Sequence, residues 1–182
     1  TSANAPKISV NKIAPTCQEP DSAGNTCRST SALTAQNTSP PVNNNTPEQG
    51  VKFLEKHLEI RPDDATIRLT LASIFSKFDV TKSIKHYRVL ANSEPNNFII
   101  LNNLSWQLIK HENFEEALKF AERAFAIAPE SATVLDTYGY ALLKNDDIEQ
   151  AILILKEALG IDPDNEQIIN HLNEASSAKN AS

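Results

Sequence analysis

No stretch of 18 apolar residues occurs in this sequence, so no segment is long and apolar enough to cross a membrane as a helix. The first thirty residues lack the charged start and apolar centre of a signal peptide. Methionine is absent, position 1 included, which is the expectation for a processed product or an excised fragment whose address is lost with its start. Two cysteines are too few for a disulfide framework, and no histidine or second cysteine pair accompanies them at zinc-ligand spacing. Four glycines in 182 residues leave no Gly-rich phosphate loop. No segment sustains the period-two alternation of a strand. His57, His86, His111 and His171 are scattered, with no His-Glu-x-x-His pair, so neither a metal centre nor an enzyme is expected and no cofactor is implied.

What is present divides the chain in two. Residues 1–46 are rich in Ser, Thr, Asn, Pro and Ala without apolar periodicity, and are expected to be a disordered tail. Cys17 and Cys27 both lie in that tail: a disulfide closing the short loop would suit an exported protein, and two free thiols are the alternative. Asn37-Thr38-Ser39 and Asn44-Asn45-Thr46 fit the glycosylation triplet, a pattern common by chance in Asn/Thr-rich segments. The tail carries Lys7, Lys12 and Arg28 against Glu19 and Asp21, so the net charge of −6 sits mostly on the remainder and nucleic acid is not an expected partner.

Beyond residue 46 the composition turns to Leu, Ile, Ala, Glu and Lys, the preference of packed helices. Thr46-Pro47-Glu48-Gln49 reads as a capping box opening the first helix. Pro62, Pro95, Pro129 and Pro163 then fall 33, 34 and 34 residues apart, each closing a helical pattern. A fixed period of this length marks a stacked helix–turn–helix array, in which no unit buries its apolar face alone. The apolar spacing places helices at about 47–60, 64–77, 81–91, 97–110, 114–127, 131–144, 148–160 and 164–178. Glu115-Glu116, Asp146-Asp147 and the Asp162/Asp164 pair stand at turns and helix starts, where carboxylates complement the helix dipole.

On the 34-residue frame, Leu101, Leu104, Ser105, Leu108, Ala117, Ala121, Ala124 and Pro129 alternate large and small residues, as do Leu135, Tyr138, Gly139, Leu142, Ala151, Leu155, Ala158 and Pro163. In this the chain resembles the tetratricopeptide repeat. The resemblance implies an all-α fold, a right-handed superhelix of antiparallel helix pairs following the tail. It divides the chain into a tail (1–46), a half repeat (47–62), repeats at 65–95, 98–129 and 132–163, a capping helix (164–178) and a short tail (179–182). The first repeat, with Leu71, Ala72, Phe75, Ser83, Tyr87, Leu90 and Pro95, is one residue short in its internal turn. Leu101-Asn102-Asn103-Leu104-Ser105-Trp106 and Leu135-Asp136-Thr137-Tyr138-Gly139-Tyr140 are also similar to paired segments of exosortase-associated (PEP-CTERM system) repeat lipoproteins, with Tyr140 where those have Trp. That likeness implies a bacterial envelope, periplasmic or secreted setting, with the cytoplasm as the alternative.

The family binds peptides along the inner wall made by the first helix of each pair. Residues 34 apart form ladders there: Asn102, Asp136 and Asn170; Asn103, Thr137 and His171; Trp106, Tyr140 and Glu174. Asn and Thr offer the donors and acceptors that an extended backbone needs, and Trp106 and Tyr140 add contact area with few rotors to freeze. Leu69, Ser73, Asn103, Thr133 and Thr137 occupy the positions where carboxylate-clamp members carry Lys, Arg and Asn, so acidic chaperone tails are poor candidates. The expected function is a non-catalytic scaffold for an extended protein segment, with peptide-groove residues Asn102, Asn103, Trp106, Asp136, Thr137, Tyr140, Asn170 and His171. The alternative is a structural module that self-associates or stacks end-on through the half repeat.

Overall fold

The computed structural model describes residues 47–181. The proposed tail, the Cys17 and Cys27 pair, the glycosylation triplets and the Thr46 side of the capping box lie outside the described residues. Eight helices follow one another: α1 (Pro47–Ile60), α2 (Ala65–Phe75), α3 (Val80–Ser93), α4 (Phe98–Lys110), α5 (Phe114–Ile127), α6 (Ala132–Lys144), α7 (Ile148–Ile161) and α8 (Glu166–Ala181). No strand occurs among the described residues. The last helix runs three residues past the expected end at 178, because neither Gly nor Pro follows Ala178 to stop it.

Side chains cap the starts of α2, α3 and α4, whereas α5, α6 and α7 have no side-chain cap among the described residues. Asp64 Oδ1 accepts from the Ile67 amide at 3.0 Å, Asp79 Oδ1 from Lys82 at 3.0 Å, and Asn97 Oδ1 from Ile99 at 3.2 Å, supplying acceptors for amides that lack an intrahelical partner. At the other end, α4 and α6 close with Glu112 and Asp146 at φ of 60° and 66°. Asn113 N–H then bonds back to Leu108 O at 2.9 Å, and Asp147 N–H to Leu142 O at 3.1 Å, the six-to-one bond of a Schellman turn. The first pair has no such left-handed residue. Its missing residue comes out of the helix: α2 has 11 residues where α4 and α6 have 13, and the turn after it carries tighter bonds from Lys77 to Ile74 and Phe78 to Phe75, then one of helical span from Asp79 to Phe75.

Each pair crosses where both backbones carry small residues. Ser83 Oγ donates to Ala72 O at 2.8 Å in the first pair, and Ser105 Oγ to Ala117 O at 2.8 Å in the second. Gly139 lies close to Ala151 in the third. Around these crossings the core is layered. Ile84, Tyr87, Leu90, Leu101, Leu104 and Leu108 form one cluster; Leu135, Leu142, Leu155 and Ile168 another; Val51, Leu71 and Phe75 a third, smaller one under α1.

The curvature follows from which helices touch. Each helix packs on the next in sequence; in addition α4 meets α6 and α6 meets α8, whereas the backbones of α3, α5 and α7 do not approach one another. The wall of α4, α6 and α8 is therefore the inside of the curve. α2 does not reach α4, so the inner wall gapes at the first repeat, spanned by Lys110 Nζ donating to Ser76 O at 2.8 Å.

Candidate functional site

On the inner wall the ladder residues meet as an aromatic stack. Tyr140 and His171 lie ring on ring, with centroids 3.8 Å apart and planes 13° from parallel. Trp106 leans on both, 5.8 Å from Tyr140 and 5.7 Å from His171. Trp106 and Tyr140 are half-buried, so part of each ring faces the groove. Lys144 Nζ sits 4.8 Å above the Tyr140 ring and is held there by Glu174 at 2.6 Å. Burial opposes the charge on Lys144, but the bonds to Glu174 and Tyr140 prevail and its pKa is raised.

Beneath the stack lies a buried polar pair. His171 Nδ1 is 2.8 Å from Asp136 Oδ1, and Asp136 Oδ2 accepts from Gln167 Nε2 at 2.7 Å. An ionised carboxylate can only accept, which puts the ring proton on Nδ1. Asp136 and His171 thus spend their hydrogen bonds on each other and tie α8 to α6. Thr137 is buried and its hydroxyl donates to Thr133 O at 3.1 Å within the helix. Asn102 is buried, with an Oδ1 that finds no donor among the described residues. Asn103 is half-buried and hydrogen-bonds the Tyr87 phenol; burial raises that phenol's pKa and the Asn103 bond works against the rise. Asn170 is exposed.

The eight ladder residues therefore separate into two layers. Asn103, Trp106, Tyr140 and Asn170 reach the groove surface, while Asn102, Asp136, Thr137 and His171 underlie it. Sequence reasoning missed Gln167, Lys144 and the exposed Ile99, which with Leu69, named above only as a clamp position, extends the wall toward α2. The 34-residue ladder carried a signal for one of these: it set Glu174 after Tyr140, and Lys144 follows Tyr140 by one helical turn.

The Asp136–His171 pair has the orientation of a base and its orienter, but no hydroxyl or thiol hydrogen-bonds His171 among the described residues. No group of three His, Cys, Asp or Glu that could hold a metal is found among the described residues.

A second crevice, of about 400 Å³, opens between α1, α2 and α3 and is lined by Glu55, Leu58, Arg68, Lys82, Lys85 and His86. His86 stacks on Phe75 with centroids 5.6 Å apart, and its Nδ1 is buried without a partner among the described residues. Burial, then the charges of Arg68, Lys85 and Lys82, hold its pKa below the ordinary histidine value, with Glu55 opposing them. The unfolded chain thus takes up this proton at higher pH than the folded one. The contribution is complete above the ordinary histidine pKa of about 6.5 and is lost as pH falls through the lower folded value. Urea midpoints measured from pH 7 to pH 5 are expected to fall, and His86→Phe, which keeps the ring on Phe75, is expected to reduce that fall.

Residues 108–172 match the tetratricopeptide repeat family model. Among solved structures, the chain is similar to MamA (residues 41 to the end) from Desulfovibrio magneticus RS-1, with 20% identity and a TM-score of 0.68 over 75% of this chain and 77% of that one. It is similar to the first TPR domain of human RPAP3, with 18% identity and a TM-score of 0.60 over 66% of this chain and 95% of that one. The first TPR of Spaghetti (RPAP3) bound to the HSP90 peptide SRMEEVD also matches, with 19% identity and a TM-score of 0.58 over 65% and 96% of the two chains. No curated protein sequence matches the chain. At these identities the likeness is one of fold, and the chain folds as a tetratricopeptide-type α-solenoid.

Proposed function

We propose that this chain is a non-catalytic protein-interaction scaffold that holds an extended, uncharged protein segment along its inner wall. The observation that carries the reading is the chemistry of that wall. From Leu69 and Ser73 on α2, through Ile99, Asn103 and Trp106 on α4, to Thr133 on α6, no charged side chain stands among these positions, and Leu69 and Ile99 are exposed beside the half-buried Trp106 ring. Asn103 offers an amide, and Trp106 and Tyr140 a contact for one aliphatic or aromatic side chain. The RPAP3 domain solved with a peptide illustrates what such a fold can hold. Here the wall has no cations at Leu69, Ser73, Asn103, Thr133 and Thr137, and its lysines Lys110 and Lys144 are already engaged by Ser76 O and Glu174, so an acidic tail like SRMEEVD would desolvate its carboxylates without a free partner.

A peptide array tests this with the whole chain as probe. Neutral segments with a central Phe or Leu should be retained and acidic tails should not. Ile99→Glu with Thr133→Glu, both at exposed positions and each expected to change stability by less than about 0.5 kcal/mol, should abolish retention. Retention of acidic tails, or indifference to the two glutamates, would sink the reading. Trp106→Ala is the poorer probe, because losing its contacts with Tyr140 and His171 also costs about 2 kcal/mol of stability.

A second reading, a structural module that associates with further copies, is favoured by the exposed Phe53 and Ile60 on α1. The segments around Asn102 and Asp136 support an envelope or export-linked setting in a bacterium, and the acidic balance argues against nucleic acid as a partner.

A further inference from the structure

Two outward-facing stripes remain outside both the inner wall and the core. On α1, Phe53 is 72% exposed and Ile60 is 75% exposed, seven residues apart and so on one side of the helix. Lys56 stands between them, exposed and without a hydrogen bond or ion pair among the described residues. On α7, Leu153 is 61% exposed and Ile161 is 49% exposed, with the exposed Glu157 between them. Beside that stripe lies Gly160, where an added Cβ would meet nothing within 4 Å. Nothing among the described residues uses the space it leaves.

We infer that α1 of one copy docks on α7 of the next, joining copies head to tail. The proposal rests on the reading of α1 as a contact surface and adds its counterpart. The axial spacings are close, about 10 Å from Phe53 to Ile60 and about 12 Å from Leu153 to Ile161 at 1.5 Å per residue, with Leu153 and Ile161 turned about 80° from each other around α7 at 3.6 residues per turn. With the helices antiparallel, Phe53 meets Ile161, Ile60 meets Leu153, and Lys56 meets Glu157, while Gly160 allows the backbones to come close. Charge favours this pairing over the others. Two α1 helices related by a two-fold axis would bring Lys56 against Lys56. Residues 114–182 hold thirteen Asp and Glu against five Lys and Arg, whereas residues 47–113 hold eight against nine, so the acidic half of one copy is attracted to the near-neutral, lysine-bearing half of the next. The outer face of α8, with Glu166, Asn173 and Ser177, is polar and offers α1 no apolar counterpart for end-on stacking. A contact between unlike surfaces leaves a free α1 and a free α7 at the ends, so it yields open chains, or rings where the rotation closes, and leaves the inner wall open.

Sedimentation velocity on the whole chain at low salt, over a concentration series, gives the test. The wild type should show species growing with concentration. Phe53→Ser and Leu153→Ser, both changes at exposed positions, should each raise the concentration for association at least tenfold. An equimolar mixture of the two variants should form a 1:1 dimer that grows no further, because only one intact α1 and one intact α7 remain to meet. A wild type that stays monomeric would overturn the proposal, and so would a Leu153→Ser protein that still associates, as a two-fold α1 contact or stacking on α8 would produce. Cross-links from position 53 to residues 1–46 at every concentration would instead assign α1 to the chain's own tail. Peptide retention on the array is independent of both variants, so failure here is distinguishable from failure of the groove reading.

Discussion

Gly139→Val is expected to lower the unfolding free energy by about 3 kcal/mol and the melting temperature by roughly 10 °C. A Cβ at this position would come within 2.7 Å of Leu155 Cγ and 3.0 Å of Leu155 Cδ2, and 3.4 Å of Ala151 O. Leu155 is fully buried, so its branch point has nowhere to retreat. Alanine, which normally gains about 1 kcal/mol over glycine inside a helix, should here be destabilising as well. The preceding repeat shows how the same crossing admits a side chain. One period earlier, Ser105 takes the place of Gly139 and Ala121 the place of Leu155, and the serine hydroxyl reaches Ala117 O. Gly139→Ser combined with Leu155→Ala should therefore be less costly than the sum of the two single changes by about 1 kcal/mol or more, measured by urea denaturation. Strict additivity would mean that the glycine is not there to admit the leucine.

Asp136→Ala is expected to cost about 3 kcal/mol, because it strands the buried His171 ring without its acceptor. The loss should be local in character. α8 is joined to α6 through Asp136, His171 and Gln167 and through the Lys144–Glu174 ion pair, so amide exchange should accelerate first along α8. Asp136→Asn, which keeps an acceptor for Nδ1, should lose about 1 kcal/mol. Unchanged exchange in α8 of the alanine variant would show that Asp136 does not hold the last helix.

The period in proline and the alternation of large and small residues made the helix pairs legible, because crossings between helices demand small residues at fixed offsets. The 34-residue ladders also brought Trp106, Tyr140 and His171 to one wall. Depth on that wall was not legible. Asn102, Asn103, Asp136 and Thr137 differ by one or two positions on a helix, and rotation by one residue separates a groove-facing amide from a buried one. Nor could a ladder show that Asp136 bonds His171, one residue past a full period, since register repeats report equivalence between units and not the contacts across them. The short first repeat was visible as a missing residue, which the sequence places in the internal turn; it comes out of α2 instead. Helix ends are set by local hydrogen bonding, and α2 gave up two residues while its turn stayed long.

The small cluster of Val51, Leu71 and Phe75 is separate from the rest of the core, and α2 fails to reach α4. In a nearest-neighbour description of stability, the first pair is then held to the second through α3 and without an inner-wall contact, a weaker coupling than between the later pairs. Such an array does not melt as a single unit. Its first helices should fray as a block while the aromatic stack at the far end is still intact, so a fluorescence transition followed through Trp106 would lie at higher denaturant than one followed by helical circular dichroism. The weaker coupling makes the α1 end adjustable in angle on the scale of a whole helix pair, and gives the array a joint where copies of it could bend.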